Sequence, residues 1–202
     1  MHPITHGLIG WATAHLRALS PRGRAWVALC GLLPDLDGVG LPIDLFNRLR
    51  GVSTDYWGAW HHELGHNLGV ALGLGLIGAL AHPGERRRVG LLAVLSVHLH
   101  LLGDLVGARG PDGDPWPIPY LRPFADLPRL TWSGQWELNA WPNLVLTLLL
   151  LAWTFAAAWR TGTSPLCYLS KKADAAFVAA LRARWSPSPT LPGGPPSGSM
   201  GP

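Results

Sequence analysis

Two proline turns cut the first half of this chain into apolar, helix-length segments placed with near mirror symmetry. His6 lies 15 residues before Pro21 and Asp35 lies 14 after it, while His66 lies 17 before Pro83 and His100 lies 17 after it. Arginines mark both turns, Arg22 and Arg24 at one and Arg86, Arg87 and Arg88 at the other. A chain folded back at both points forms two antiparallel helical hairpins. Their open ends then gather His6, Asp35, His61, His62, His66, His100 and Asp104. Imidazoles and carboxylates so gathered are what a divalent metal site requires.

What surrounds such hairpins follows from composition. At 202 residues the chain has room for one domain with a real core and little room for two. Apolar residues make up 48% and charged residues only 14%, against about 25% charged in soluble domains. Residues 89–108 and 144–159 approach the roughly 20 residues that a membrane span needs. Residues 68–81 reach that length only with the polar stretch from Trp60. Together they predict an all-α, multi-pass membrane bundle: two antiparallel hairpins plus a further helix, with an irregular segment rich in Trp and Pro over the site.

The net charge of +4 could suggest nucleic acid. The basic residues, however, sit at the hairpin turns and after the last apolar run, at Arg160, Lys171, Lys172, Arg182 and Arg184. No basic helix face is interleaved with aromatics, so nucleic acid is not expected. Positive charge at alternate ends of apolar segments is what the positive-inside rule produces. It places the arginine turns toward the cytoplasm and the ligand ends outward. Cys30 and Cys167 are too few and too far apart for a disulfide framework or a thiolate metal site, and read as small buried hydrophobes. The N-terminal segment has a histidine where a signal peptide has its basic region, so the first helix is expected to be kept.

Helices are expected over 4–19, 24–33, about 60–81, 89–106, 143–159 and 173–185. Residues 38–58 read as a loop with one helical turn at 44–50, and residues 107–142 as ordered irregular chain at the membrane–water interface. Three regions result: a membrane-embedded domain over 1–160, an amphipathic basic helix over 161–185, and a disordered Pro/Gly/Ser tail over 186–202.

His100 and Asp104 are spaced i, i+4, which puts both on one helix face. An unpaired Asp at mid-span costs ~2.5–3.5 kcal/mol. A bound divalent ion would offset it, since tight structural zinc sites contribute ~10 kcal/mol or more; a plain His–Asp hydrogen bond is the alternative. His98 points away from this pair and reads as structural. His62-Glu63-Leu64-Gly65-His66 matches the HExxH string, in which two helical histidines hold zinc and the glutamate is general base. Alternatively His61 and His66 are the pair, with the helix starting between them, because residues five apart in a helix point about 140° apart. Spacing leaves both open. Asp35 and Asp37, after Pro34, could bridge two metals or form a solvated turn. Arg109, Asp112, Asp114 and Arg122 could line a substrate lip, and Glu137 and Asn139 could add an oxygen ligand. His2, His15 and His82 have no partner by spacing and read as surface residues.

Four spaced motifs, Thr5-His6-x-x-x-Gly10, Pro34-Asp35-x-Asp37, His61-x-x-x-x-His66-Asn67 and His100-x-x-x-Asp104, resemble those of bacterial inner-membrane proteins described as membrane-bound metal-dependent hydrolases. These look distantly related to the all-helical zinc-dependent phospholipases C. The stretches GARGPDGDPWPIPYLRPF and WSGQWELNAWPN fit the same pattern, so the resemblance covers about residues 1–160. It departs at His62, Glu63 and Gly65, where Arg, a small residue and Thr are expected. The resemblance implies His6, Asp35, His61, His66, His100 and Asp104 as metal ligands, with Asp37 in or near the shell.

With nitrogen and oxygen donors only, zinc is the expected ion, with manganese or iron fitting as well, as one ion or two. The expected function is a multi-pass inner-membrane hydrolase acting on a phosphoester or lipid-like substrate, with Glu63 or Asp37 as proton acceptor. A zinc protease using His62, Glu63 and His66, or a membrane protein that binds metal without turnover, are the alternatives.

Overall fold

A computed structural model of the chain describes residues 1–110 and 113–185. The expected tail over 186–202 and Asp112 lie outside the described residues. Proline opens the first two helices, where its fixed φ and missing N–H are tolerated: α1 is Pro3–Thr13 and α2 is Pro21–Cys30. Ser20 caps α2 by accepting the Gly23 N–H at 3.2 Å. A 3-10 turn, Leu33–Val39, leads into α3 (Gly40–Leu49) and α4 (Tyr56–Trp60). Then come α5 (Leu68–Ala81), α6 (Arg86–Gly107), α7 (Trp141–Thr161) and α8 (Lys171–Trp185). Among the described residues the only strand-like pairings are the isolated bridges Arg109–Glu137 and Ile118–Leu130. The protein is all-α.

Local chemistry moves several boundaries. The first helix stops at Thr13 rather than Leu19. The third apolar helix starts at Leu68 rather than Trp60, because Asn67 is its N-cap and accepts the Val70 N–H at 2.9 Å. Residues 61–67 are therefore a connector, and His62 within it has φ +65°. Residues 38–58, expected as a loop with one helical turn at 44–50, hold two short helices tied by one carboxylate. Asp44 accepts the N–H groups of Tyr56 and Trp57 at 2.9 and 2.8 Å and the Thr54 hydroxyl at 2.7 Å.

α1 and α2 pack antiparallel through glycine. A Cβ on Gly10 would lie 2.4 Å from the Ala28 carbonyl oxygen, and one on Gly31 would lie 2.7 Å from that of His6. α5 returns along α6, and α6 also packs on α1 and α2, so it is the central helix of this group. Cys30, Ala71, Ala93, Val97, Leu101 and Ile118 form its apolar core. The two hairpin turns meet: the Ser20 N–H donates to the Glu85 carboxylate at 2.8 Å and Arg88 Nη1 donates to the Ala18 carbonyl at 2.9 Å. The ligand-bearing ends are thereby left together at the opposite end.

Among the described residues two helical stretches, Pro83–Gly107 and Trp141–Thr161, are long and apolar enough to cross a membrane. A third counts if α2 and the bent run Leu33–Leu49 act as one span. α5, with 14 residues, is about 21 Å long, short of the ~30 Å hydrocarbon core. Polarity is inverted relative to a water-soluble domain. Leu76, Leu80, Leu91 and Leu149 are 60–70% exposed while Thr5, His6, Ser96 and His100 are fully buried. Many outward leucines over a buried polar interior suit a surface that meets lipid.

Residues Met1–Thr154 form one compact unit, and a second starts at Phe155. Within the second, Phe155 packs on Phe177, and Asp174 accepts from the N–H and hydroxyl of Ser164.

Candidate metal centre

The centre is built outward from α6. His100 and Asp104 occupy successive turns of one face, both buried. His100 Nδ1 lies 2.9 Å from the Gly31 carbonyl, which only accepts, so the proton is on Nδ1 and the lone pair on Nε2. His66, from the connector, donates its Nδ1–H to Asp37 Oδ2 at 2.9 Å, which leaves its Nε2 free as well. The two Nε2 atoms face each other 3.0 Å apart. Asp104 Oδ2 lies 3.1 Å from one and 3.2 Å from the other, and Asp35 Oδ1 lies 3.6 and 3.9 Å away. Two lone pairs and two carboxylates cannot converge in this way without positive charge between them, either a proton or a metal ion.

His6 comes from α1 and stacks on His100 with ring centroids 3.7 Å apart, its Nε2 3.0 Å from Asp104 Oδ1. The N-terminal ammonium of Met1 pairs with that same oxygen. Gly103 makes room: a Cβ there would sit 3.2 Å from His6 Cε1. Asp37 works from below. Its Oδ1 accepts from His61 Nδ1 at 2.9 Å, and its Oδ2 accepts from the Gly65 N–H at 2.9 Å as well as from His66. A carboxylate that fixes imidazole tautomer and orientation from behind is the usual outer support of a metal ligand. Gly65 is needed for this approach, since a Cβ there would lie 2.2 Å from the Pro34 carbonyl oxygen.

Ligand-type atoms of His6, Asp35, His100 and Asp104 all lie within 4.8 Å of one another, and so do those of His62, His66 and Asp104. Asp104 belongs to both groups. His6 Nδ1, Asp35 Oδ2 and His62 Nδ1 are buried with no hydrogen-bond partner. Orphaned buried polar atoms beside paired Nε2 lone pairs fit a divalent cation, and the all-N/O donor set fits zinc, manganese or iron.

The connector histidines differ electrostatically. Burial, with His66 alongside, pushes the His62 imidazole down to about 2. Burial also acts against the cation at His66, but the Asp104 and Asp37 carboxylates outweigh it and hold that imidazole up to about 9.

Of the six residues expected as ligands, five (His6, Asp35, His66, His100 and Asp104) meet in these two groups. The sixth, His61, lies outside both; it is held by Asp37 and stacks on Trp57 at 3.9 Å, at the cavity wall. His62 is inside the second group, its ring stacked between His66 at 4.2 Å and Trp116 at 4.5 Å. It reaches there through its positive φ rather than from a helix, so the helical geometry of HExxH is absent. Glu63, expected as a proton acceptor, has its carboxylate bound by Arg122 Nη1 and Arg129 Nη1 and does not line the cavity. Asp37, the other expected proton acceptor, has both oxygens engaged by His61, His66 and the Gly65 N–H.

A cavity of about 490 Å³ opens over the centre. Asp35, Asp104, His62, Trp57 and Trp116 line it, as do Arg109, Glu137 and Asn139 from the irregular segment. Arg122 and Asp114 are not part of its wall. His98 bonds the Val94 carbonyl and the Tyr120 hydroxyl, and His15 and His82, just past the ends of α1 and α5, bond the Trp11 and Gly78 carbonyls. Gln135 was not foreseen. It is buried, donates to the Asp104 carbonyl at 2.7 Å and accepts the Trp116 N–H at 2.7 Å, which pins the irregular segment to α6 beside the site. A lone Gln in irregular sequence carries no signal of such a role.

An all-helical, apolar-surfaced chain with its polar groups turned inward is a membrane protein. The chain belongs to the YdjM inner membrane protein family, whose family model matches residues 1–181. That description agrees with the inner-membrane placement expected from the motifs and carries no reaction. No curated protein and no solved structure matches the chain.

Proposed function

We propose that this chain is a multi-pass inner-membrane hydrolase that uses one or two divalent ions, zinc foremost, on phosphoester or lipid-like substrates. The observation that carries this reading is the 3.0 Å approach of His66 Nε2 to His100 Nε2, each with its Nδ1 already committed, beside Asp104 Oδ2. A single ion would be shared by His66, His100 and Asp104; with two, His6, Asp35, His100 and Asp104 would hold one and His62, His66 and Asp104 the other. A divalent ion held this way supplies Lewis acidity and makes water nucleophilic at neutral pH. Asp35 takes the proton-acceptor role: its Oδ2 is unpartnered and the residue lines the cavity. Arg109, at the cavity wall with an Nε that has no partner among the described residues, orients an anionic group of the substrate. Trp57 and Trp116 narrow the entrance and limit water. The arginine turns face the cytoplasm and the cavity opens on the outer side.

Structural zinc sites are closed and catalytic ones keep an open position. A cavity reaching Asp35 and Asp104 therefore favours turnover over a purely structural ion. The protease reading is disfavoured by the non-helical connector and the double arginine grip on Glu63. The test is metal analysis of the full chain purified in detergent, with hydrolysis of bis-p-nitrophenyl phosphate as an activity probe. Stoichiometric metal in the wild type and its loss in His66→Ala and His100→Ala are expected. Metal-free wild type, or His100→Ala with full metal content, overturns the reading.

A further inference from the structure

We propose that an apolar groove between α1, α6 and α7 seats a single acyl chain of an amphiphile whose anionic headgroup enters the metal cavity. This rests on the hydrolase reading above and names its substrate class. The groove encloses about 600 Å³ and is walled by Ile9, Ala12, Leu99, Leu102, Leu146 and Leu150. Two observations join it to the site. Met1 lines both the groove and the polar cavity, and Gly103, at the groove's upper end, directly precedes Asp104. From Val106 at the cavity end to Leu99 the groove follows α6 for about 10 Å. It leads away from the ligands, toward Leu16 and Trp153.

Its surroundings select the occupant. Among the described residues α6 and α7 are the single helices long and apolar enough to cross a membrane, and a groove between two such helices is within reach of lipid tails. An α-helix is ~10–12 Å across with its side chains, and a groove of a few hundred Å³ does not admit one. Thr13, among its polar residues, already donates to the Ile9 carbonyl and asks nothing of a ligand. At the cavity end the balance reverses. Arg109 spends one nitrogen on the Ser133 carbonyl and keeps a buried Nε without a partner among the described residues, a cation suited to phosphate. A hydrogen bond between the hydroxyls of Thr5 and Thr147, at 2.7 Å, ties α7 to α1 near the junction.

The test is photolabelling of the full-length, detergent-purified protein by lysophosphatidic acid carrying a diazirine near the end of its acyl chain. Saturable labelling is expected on residues 9–16, 99–106 and 146–153, displaced by unlabelled palmitoyl lysophosphatidic acid and not by glycerol 3-phosphate. Ala12→Trp and Leu150→Trp, on different helices, should each lower labelling by about tenfold or more while metal content stays at the wild-type level. Arg109→Gln should weaken lysophosphatidic acid and leave a diazirine monoacylglycerol unaffected. Labelling spread evenly over the outward faces of α5, α6 and α7, or unchanged in both tryptophan variants, overturns the proposal. His100→Ala separates the two readings: a protein without metal that is still labelled in the groove leaves the acyl slot standing, whereas metal retained with no groove labelling sinks the slot alone.

Discussion

Asp37 holds His66 from behind, its Oδ2 2.9 Å from His66 Nδ1, while its other oxygen is equally close to His61 Nδ1. One carboxylate thus fixes two rings of a connector that has no helix of its own. Asp37→Asn keeps the shape and loses an acceptor at one of these rings. Metal affinity should fall by about 10–100-fold, the usual cost of losing such support. Competition with a chromophoric chelator in detergent measures it, and the variant should still purify as a folded protein.

Metal removal should loosen the fold. An ion that binds only the folded chain stabilises it by about 2.7 kcal/mol when free metal is a hundredfold above Kd. Chelation should lower the thermal midpoint by several degrees in the wild type, and not in His100→Ala. Nanoscale fluorimetry on the tryptophans reads this directly.

Glu63→Gln should leave bound metal and any hydrolysis within a factor of about three, since surface ion pairs contribute only ~0–1 kcal/mol each. What it should change is the irregular segment, which Glu63 grips through Arg122 and Arg129. Limited proteolysis between residues 113 and 140 should quicken. Loss of activity with unchanged proteolysis would return Glu63 to the chemistry.

Gly31→Ala should cost about 1–3 kcal/mol, the range for overpacking a tight contact. The new Cβ meets backbone on α1, 2.7 Å from the His6 carbonyl oxygen and 2.8 Å from Gly10 Cα. Because the Gly31 carbonyl also accepts from His100 Nδ1, metal affinity should fall together with stability. An equivalent change at Gly73, where nothing lies within 4 Å of an added Cβ, should do neither.

What could be read in the sequence was what helical period and turn chemistry determine. His100 and Asp104 lie on one face because i, i+4 spacing leaves no other choice, and the meeting of the two hairpins follows from Pro21 and Pro83. The connector was not legible in the same way. Whether His61 or His62 turns inward depends on a positive φ at His62 and on the Asn67 cap, and HExxH spacing describes a helix that Asn67 delays until Leu68. Glu63 looked like a base because its partners stand 59 and 66 residues downstream in irregular chain. Of the short helices, α3 was legible only as the turn at 44–50 and α4 not at all, and the Asp44 carboxylate that ties them speaks through backbone N–H groups, which no residue pattern reveals.

Asp104 is common property of the two ligand groups. Two ions there would compete for one carboxylate and repel across it, so filling the first place alters the terms for the second. Titration with zinc should accordingly give two separated steps instead of one smooth saturation curve. The protein would then work over a window of metal supply, with its half-loaded form a distinct species in the membrane.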